Sequence, residues 1–244
     1  MDFVLPIIFA IFGLALAAVL WITSCSLASG ELPAMQPPCP YCPGEFSSDA
    51  WIPLIGAFSR CTNCRRTMGN GRLVLEVGLA VAFAVAAYRI DSTKALIEIV
   101  LFSIPLIVIL LTDLWTGAVF RNFAVFGIAL GLLFAGIGGW ETFKEALVGA
   151  GVGIAVFGIM MLVMRKILPT VHLAPVGEGD VLIAGMIGAM ARWPGVILVL
   201  SAGVLVAGIG AAIVLSARRN DQAAVVPFGP FLCAAAIPIF ILWF

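Results

Sequence analysis

Apolar runs of about twenty residues, parted by short polar stretches, set the pattern of this 244-residue chain. A helix needs about 20 mostly apolar residues to cross the hydrocarbon of a bilayer. On that measure the chain divides into eight segments, at roughly 4–23, 73–90, 95–112, 122–139, 145–164, 179–191, 194–216 and 225–243. The sixth is short, and its separation from the seventh rests on Arg192-Trp193-Pro194, since proline disfavours helical backbone at the residue before it. Composition strengthens the picture: 63% of residues are hydrophobic and 11% charged, with a mean hydropathy of +1.18, well beyond what a soluble core requires. The expected fold class is an all-α polytopic membrane protein with about eight transmembrane helices. A net charge of zero leaves no electrostatic footprint for nucleic acid. Met1-Asp2-Phe3 places no basic residue ahead of the first long apolar run, which reads as a retained spanning helix rather than a cleaved signal peptide.

Positive residues stay on the cytoplasmic side of a membrane. Odd-numbered connections hold Arg60, Arg65, Arg66, Arg72, Arg121, Arg165, Lys166, Arg218 and Arg219, against Arg89, Lys94, Lys144 and Arg192 in the even-numbered ones. Both termini are therefore expected outside and the first connection inside. That connection is the only sizeable polar region, so the chain reads as a first transmembrane helix over 1–24, a cytoplasmic loop over 25–72 and a helix bundle over 73–244. A loop of that length buries little core and needs a staple. Cys39-Pro40-Tyr41-Cys42 and Cys61-Thr62-Asn63-Cys64 supply two CxxC knuckles with eighteen residues between them. Each knuckle brings two sulfurs to one metal, so Cys39, Cys42, Cys61 and Cys64 are expected to bind a structural zinc. Disulfide or redox use is the alternative, which a reducing compartment disfavours. Cys25 and Cys233 fall in or beside apolar spans and read as small buried hydrophobes.

The chemistry is expected from acids at span ends. Asp180 closes Gly177-Glu178-Gly179-Asp180 and opens the sixth span, while Asp113 closes the third. Unpaired intramembrane acids are expensive and mark function. Two carboxyl groups sharing a proton can activate water and protonate a leaving amine, which is peptide hydrolysis without a nucleophilic side chain. Glu76 and Glu98 also lie inside spans, each near enough to a span end to reach the interface. His172 is the sole histidine and reads as a loop residue; no serine or cysteine has a histidine partner at motif spacing, and no phosphate-binding loop is present. Gly127 with Gly131, Gly149 with Gly153, and Ala184 with Gly188 have the four-residue spacing that lets helices pack closely in lipid. A proton-coupled transporter would use paired intramembrane acids too, although no inverted repeat is evident. An inactive scaffold built on the zinc loop is a further alternative.

The paired knuckles with Asp49-Ala50-Trp51-Ile52-Pro53 between them, the Gly177-Glu178-Gly179-Asp180 motif, and Val226-Pro227-Phe228-Gly229-Pro230-Phe231-Leu232 occur in that order from Cys39 to Leu232. Together they resemble the type IV prepilin peptidases, the GxGD membrane aspartic proteases of bacteria. Leu73-Val74-Leu75-Glu76 is similar to the family's glutamate-bearing start of its second span. The resemblance implies that Asp113 and Asp180 are the catalytic aspartates, and that Gly177, Gly179, Pro227, Phe228, Gly229 and Pro230 support the active site. It also implies a bacterial inner-membrane location with the zinc loop and both aspartates facing the cytoplasm. The implied substrate is the short basic leader of a type IV prepilin or a type II secretion pseudopilin, cut before its apolar helix. Many members also methylate the new amino terminus with S-adenosylmethionine; no separate motif for that cofactor is visible. The chain departs from the family pattern where proline is common after the first aspartate, here Asp113-Leu114-Trp115-Thr116-Gly117-Ala118-Val119-Phe120-Arg121, and at Leu182, where lysine is frequent.

Overall fold

The computed structural model describes residues 4–117, 119–167, 177–217 and 228–243. Eight α-helices account for most of them: α1 (Val4–Ser29), α2 (Asn70–Arg89), α3 (Thr93–Thr116), α4 (Arg121–Gly138), α5 (Trp140–Ile167), α6 (Glu178–Ala191), α7 (Gly195–Ala217) and α8 (Gly229–Trp243). Each corresponds to one expected span, and the all-α polytopic membrane class holds. Among the described residues, α1 to α5 are each long and apolar enough to cross a membrane, and α7 and α8 contribute shorter apolar stretches. The chain divides into two compact units, with the boundary along the chain falling within α3 between Val100 and Leu101.

In the first unit α1 packs along α2. The approach is close: a side chain at Gly13 would bring its Cβ within 2.8 Å of the Leu79 carbonyl oxygen. Beside it, Phe12 and Phe83 stack with ring centroids 6.3 Å apart. The connection between the helices holds two short 3₁₀ turns, Ser48–Trp51 and Ile55–Phe58, and isolated bridges at Pro38–Glu45, Phe46–Cys61 and Arg60–Thr67. Proline-rich sequence and a shortage of apolar residues leave it no longer element.

The second unit is arranged around its shortest helix. At 14 residues, α6 is about 21 Å long, less than the hydrocarbon thickness of about 30 Å. It is enclosed by protein rather than lipid: Asp180 and every residue from Ile183 to Ala191 are buried, against α4, α5, α7 and α8. The three small-residue pairs in the sequence make two of these seams. Gly127 and Gly131 bring α4 against Met186, Ala189 and Met190, and Gly149 and Gly153 bring α5 against the backbone of Gly188 and Ala184. In lipid such close backbone packing takes over the part the hydrophobic effect plays in water. Phe102 of α3 meets Phe134 of α4 and Phe240 of α8 edge to face, at 5.9 and 6.2 Å.

Candidate active site and metal centre

Asp113 lies in the last turn of α3 and Asp180 in the first turn of α6, exposed by only 5% and 8%. They come together at Gly229, the first residue of α8. A Cβ placed on Gly229 would stand 2.6 Å from Asp113 Oδ2 and 3.4 Å from Asp180 Oδ1, so those two oxygens are no further apart than the sum of the two distances. Any side chain at 229 would occupy the space between the carboxyls. Asp180 is oriented by backbone: the Gly177 N–H donates to its Oδ2 at 2.9 Å, and Gly229 contributes a further backbone hydrogen bond. The Gly177 bond is half of a capping box, in which the third helical residue reaches back to the cap's N–H.

The two glycines of the motif differ. A Cβ on Gly179 would lie 2.7 Å from Val119, whereas on Gly177 it would meet nothing nearer than 3.9 Å. Close approach therefore requires glycine at 179 alone. Phe228 sets its ring against Phe157 of α5 at 5.9 Å, and Pro230 is buried. Pro227 and His172 lie outside the described residues. Cys233, one turn beyond Gly229, is fully buried; no motif in the sequence marks it. Around Asp180, Glu178 is exposed and lies 3.5 Å from Arg121 and 3.7 Å from Arg165. A notch of about 270 Å³ opens beside it, lined by Arg121, Met161, Glu178, Val181 and Leu182.

In the first unit the four knuckle cysteines converge, with all four sulfurs within 4.8 Å of one another. Cys39 and Cys64 sulfurs are 3.8 Å apart and those of Cys42 and Cys61 3.5 Å. Zn–S bonds of about 2.3 Å in a tetrahedron require sulfur separations of about 3.8 Å; a disulfide requires about 2.05 Å. The geometry fits a tetrathiolate metal centre and not two disulfides. Burial pushes the Cys39 thiol up to about 12. Burial acts on Cys61 as well, but backbone hydrogen bonds from Cys64 and Asn63, together with the Cys42 and Cys64 side chains, bring this thiol down to about 7. A cavity of about 330 Å³ adjoins the cluster, with Glu31, Cys39, Cys42 and Glu45 in its wall.

Glu76, in the first unit, forms an ion pair with Arg72 at 2.6 Å, both side chains fully buried. Arg72 donates to the carbonyls of Ala50 at 2.6 Å and Ile52 at 3.4 Å, and Glu76 Oε2 accepts from the Leu54 N–H at 2.6 Å. The spacing of the two residues, one helical turn apart, was the available signal. Glu98 has Lys94 at 3.8 Å, again one turn away.

Compared with known proteins, the chain is 25% identical over 219 residues to a Pseudomonas putida protein named prepilin leader peptidase/N-methyltransferase, covering 87% of this chain and 73% of that one. A protein of the same name from Pseudomonas aeruginosa is 24% identical over 222 residues, covering 84% and 70%. One from Stutzerimonas stutzeri is 22% identical over 212 residues, covering 84% and 71%. No family model and no solved structure matches.

Proposed function

We propose, from the premise that this chain is a divergent relative of the type IV prepilin peptidases, that it is a membrane aspartic endopeptidase cleaving the leader of a type IV prepilin or pseudopilin. The observation that carries the reading is the meeting of Asp113 and Asp180 at Gly229, two buried carboxyls with no other acid needed to complete an acid and base pair. One carboxylate takes a proton from water, whose oxygen adds to the scissile carbonyl; the other, protonated, gives its proton to the departing amine. The pair ends with its proton exchanged between partners and titrates as a unit. A helical peptide hides its carbonyls in hydrogen bonds, so the substrate must bind extended beside the carboxyls, and glycine at 229 keeps any side chain from standing between them.

Zinc at Cys39, Cys42, Cys61 and Cys64 has a structural role, because four protein ligands leave no open position for chemistry. Metal analysis of protein purified without chelator should find one zinc per chain. Where methylation follows cleavage, S-adenosylmethionine supplies the methyl group, and Glu31 and Glu45 on the cavity beside the sulfurs would hold its cationic end. We place the protein in a bacterial inner membrane, with the 25–72 loop and both aspartates cytoplasmic. Incubating purified protein with a prepilin, with and without labelled S-adenosylmethionine, is the decisive experiment: a mobility shift supports the peptidase, and label in the product supports the transferase. An unchanged substrate would overturn the peptidase and favour a transporter.

A further inference from the structure

The turn from Ile52 to Phe58 is apolar, outward-facing and unusually constrained. Ile55 and Phe58 are 59% and 68% exposed, and Ile52 and Leu54 are exposed beside them. Leu54 has φ 64° and ψ −50°, and the Ile55 N–H bonds the Pro53 carbonyl at 2.7 Å, a γ-turn of the rare positive-φ kind. A bulky residue in that conformation persists only where its surroundings hold it. Here the buried Arg72 and Glu76 hold it, binding the backbone of Ala50, Ile52 and Leu54. The same arrangement closes the inner side: a Cβ on Gly56 would stand 2.7 Å from the Arg72 guanidinium.

Those two residues belong to the first two turns of α2. The apolar turn is therefore tied to the place where a membrane span begins. From there the exposed face of α2 continues as a stripe of Val74, Val77 and Val81, spaced as one side of a helix. That stripe lies across α2 from Arg72 and Glu76, but Val74 stands at their level along the helix, so the turn is held at the height where α2 first presents an exposed apolar face. Arg60, exposed two residues beyond Phe58, adds a cation where phosphate headgroups would lie.

We propose that the 52–58 turn is a membrane-docking element: Ile52, Leu54, Ile55 and Phe58 enter the interfacial region of the bilayer on the side where α2 begins, and Arg72 with Glu76 sets their depth. The cysteine loop is then held down on the lipid surface at one corner rather than suspended on its two ends. Apolar side chains at the headgroup boundary with a flanking cation are the ordinary chemistry of interfacial attachment. This proposal is independent of peptidase activity.

Phe58, Ile55, Val77 and Tyr41 can each be replaced by p-benzoylphenylalanine in the full chain, reconstituted in nanodiscs of phosphatidylethanolamine and phosphatidylglycerol. Irradiation should give phospholipid adducts at 58 and 55 in yields matching lipid-facing position 77, and several-fold above Tyr41 on the first knuckle. Yields at 58 and 55 as low as at Tyr41 would overturn the proposal. So would crosslinks into polypeptide in place of lipid, which would mark a surface for a second copy or for substrate. A membrane-partitioning diazirine supplies the same readout on the unsubstituted chain: labelling within 52–58 is expected, and labelling of α1 and α2 without it would refute docking.

Discussion

Only 25 positions separate Cys39 from Cys64, whereas Asp113 and Asp180 stand 67 positions apart on two helices and meet at a third. The loop around the cysteines buries few apolar side chains, among them Phe46, Ala50, Ala57 and Met68; it relies on point fastenings, four sulfurs at one end and a buried ion pair at the other. The helices around the aspartates are held differently. They place two carboxyls by packing along whole faces, with Gly127, Gly131, Gly149 and Gly153 admitting α4 and α5 to α6. A site of the first kind fails when one fastening is cut. A site of the second kind fails by degrees as seams are disturbed, yet under the proposed function its chemistry should be lost at once when a carboxyl is removed.

The largest expected effect is on that chemistry. Asp113→Asn and Asp180→Asn keep the shape of the side chain but cannot shuttle a proton, so each should lower prepilin cleavage by about 10³-fold or more, within the range of general acid and base contributions. The double variant should be no worse than either single one, since the groups act as a unit. Metal content should not change. Near wild-type turnover by Asp113→Asn in a gel-shift assay would show that the pair is wrongly assigned.

The first unit should answer to Glu76→Gln. The substitution leaves the Arg72 charge buried without its counter-charge, a loss of about 3–5 kcal/mol for a pair of this kind. Limited proteolysis should then cut the 48–58 region readily, while Asp180 keeps its backbone partners. Equal protease resistance in wild type and Glu76→Gln would show that the turns are held by something else. In the second unit, Gly229→Ala inserts a methyl group 2.6 Å from Asp113 Oδ2 without removing any charge. A displacement of about 1 Å at reacting groups costs about 10²-fold, and that loss in cleavage is expected with thermal stability in detergent little changed. Gly153→Val strikes the seam instead. Its side chain meets the Ala184 carbonyl, and overpacking of this kind costs about 1–3 kcal/mol, seen as a lower melting temperature with zinc retained.

What was legible in the sequence follows the same division. Helix positions were readable because each span must be apolar over its own length, and α1 overran its expected end only to Ser29, where polar residues still satisfy a helix near the interface. The knuckles were readable because their ligands are local. The aspartates stood out as acids at span ends, but their meeting point was not readable: nothing in the residues of α8 alone says that Gly229 faces both. The small-residue pairs announced close packing without naming α6 as the common partner, which depends on three-dimensional order. Arg72 and Glu76 were visible separately, as a loop cation and an interfacial acid, and their pairing one turn apart was the signal passed over. Two glycines of one motif looked equivalent, and only the position of Val119 separates them.

The smallest effect is expected at Glu178, and it sharpens the contrast between buried and exposed fastenings. Like Glu76 it faces arginine, but at 3.5 and 3.7 Å and with all three side chains more than half exposed. Water already solvates such charges, so each pair contributes only about 0.2–1 kcal/mol and is screened by salt. Glu178→Gln should therefore leave the melting temperature within a degree or two, as expected for a few tenths of a kcal/mol, and should retain most of the cleavage activity. Any loss at low ionic strength should vanish as salt is raised, because screening removes in the wild type what the substitution removes in the variant. A large loss that persists at high salt would mean that Glu178 touches the reacting peptide itself, and that the acid next to the catalytic turn belongs with Asp180 rather than with the solvated surface.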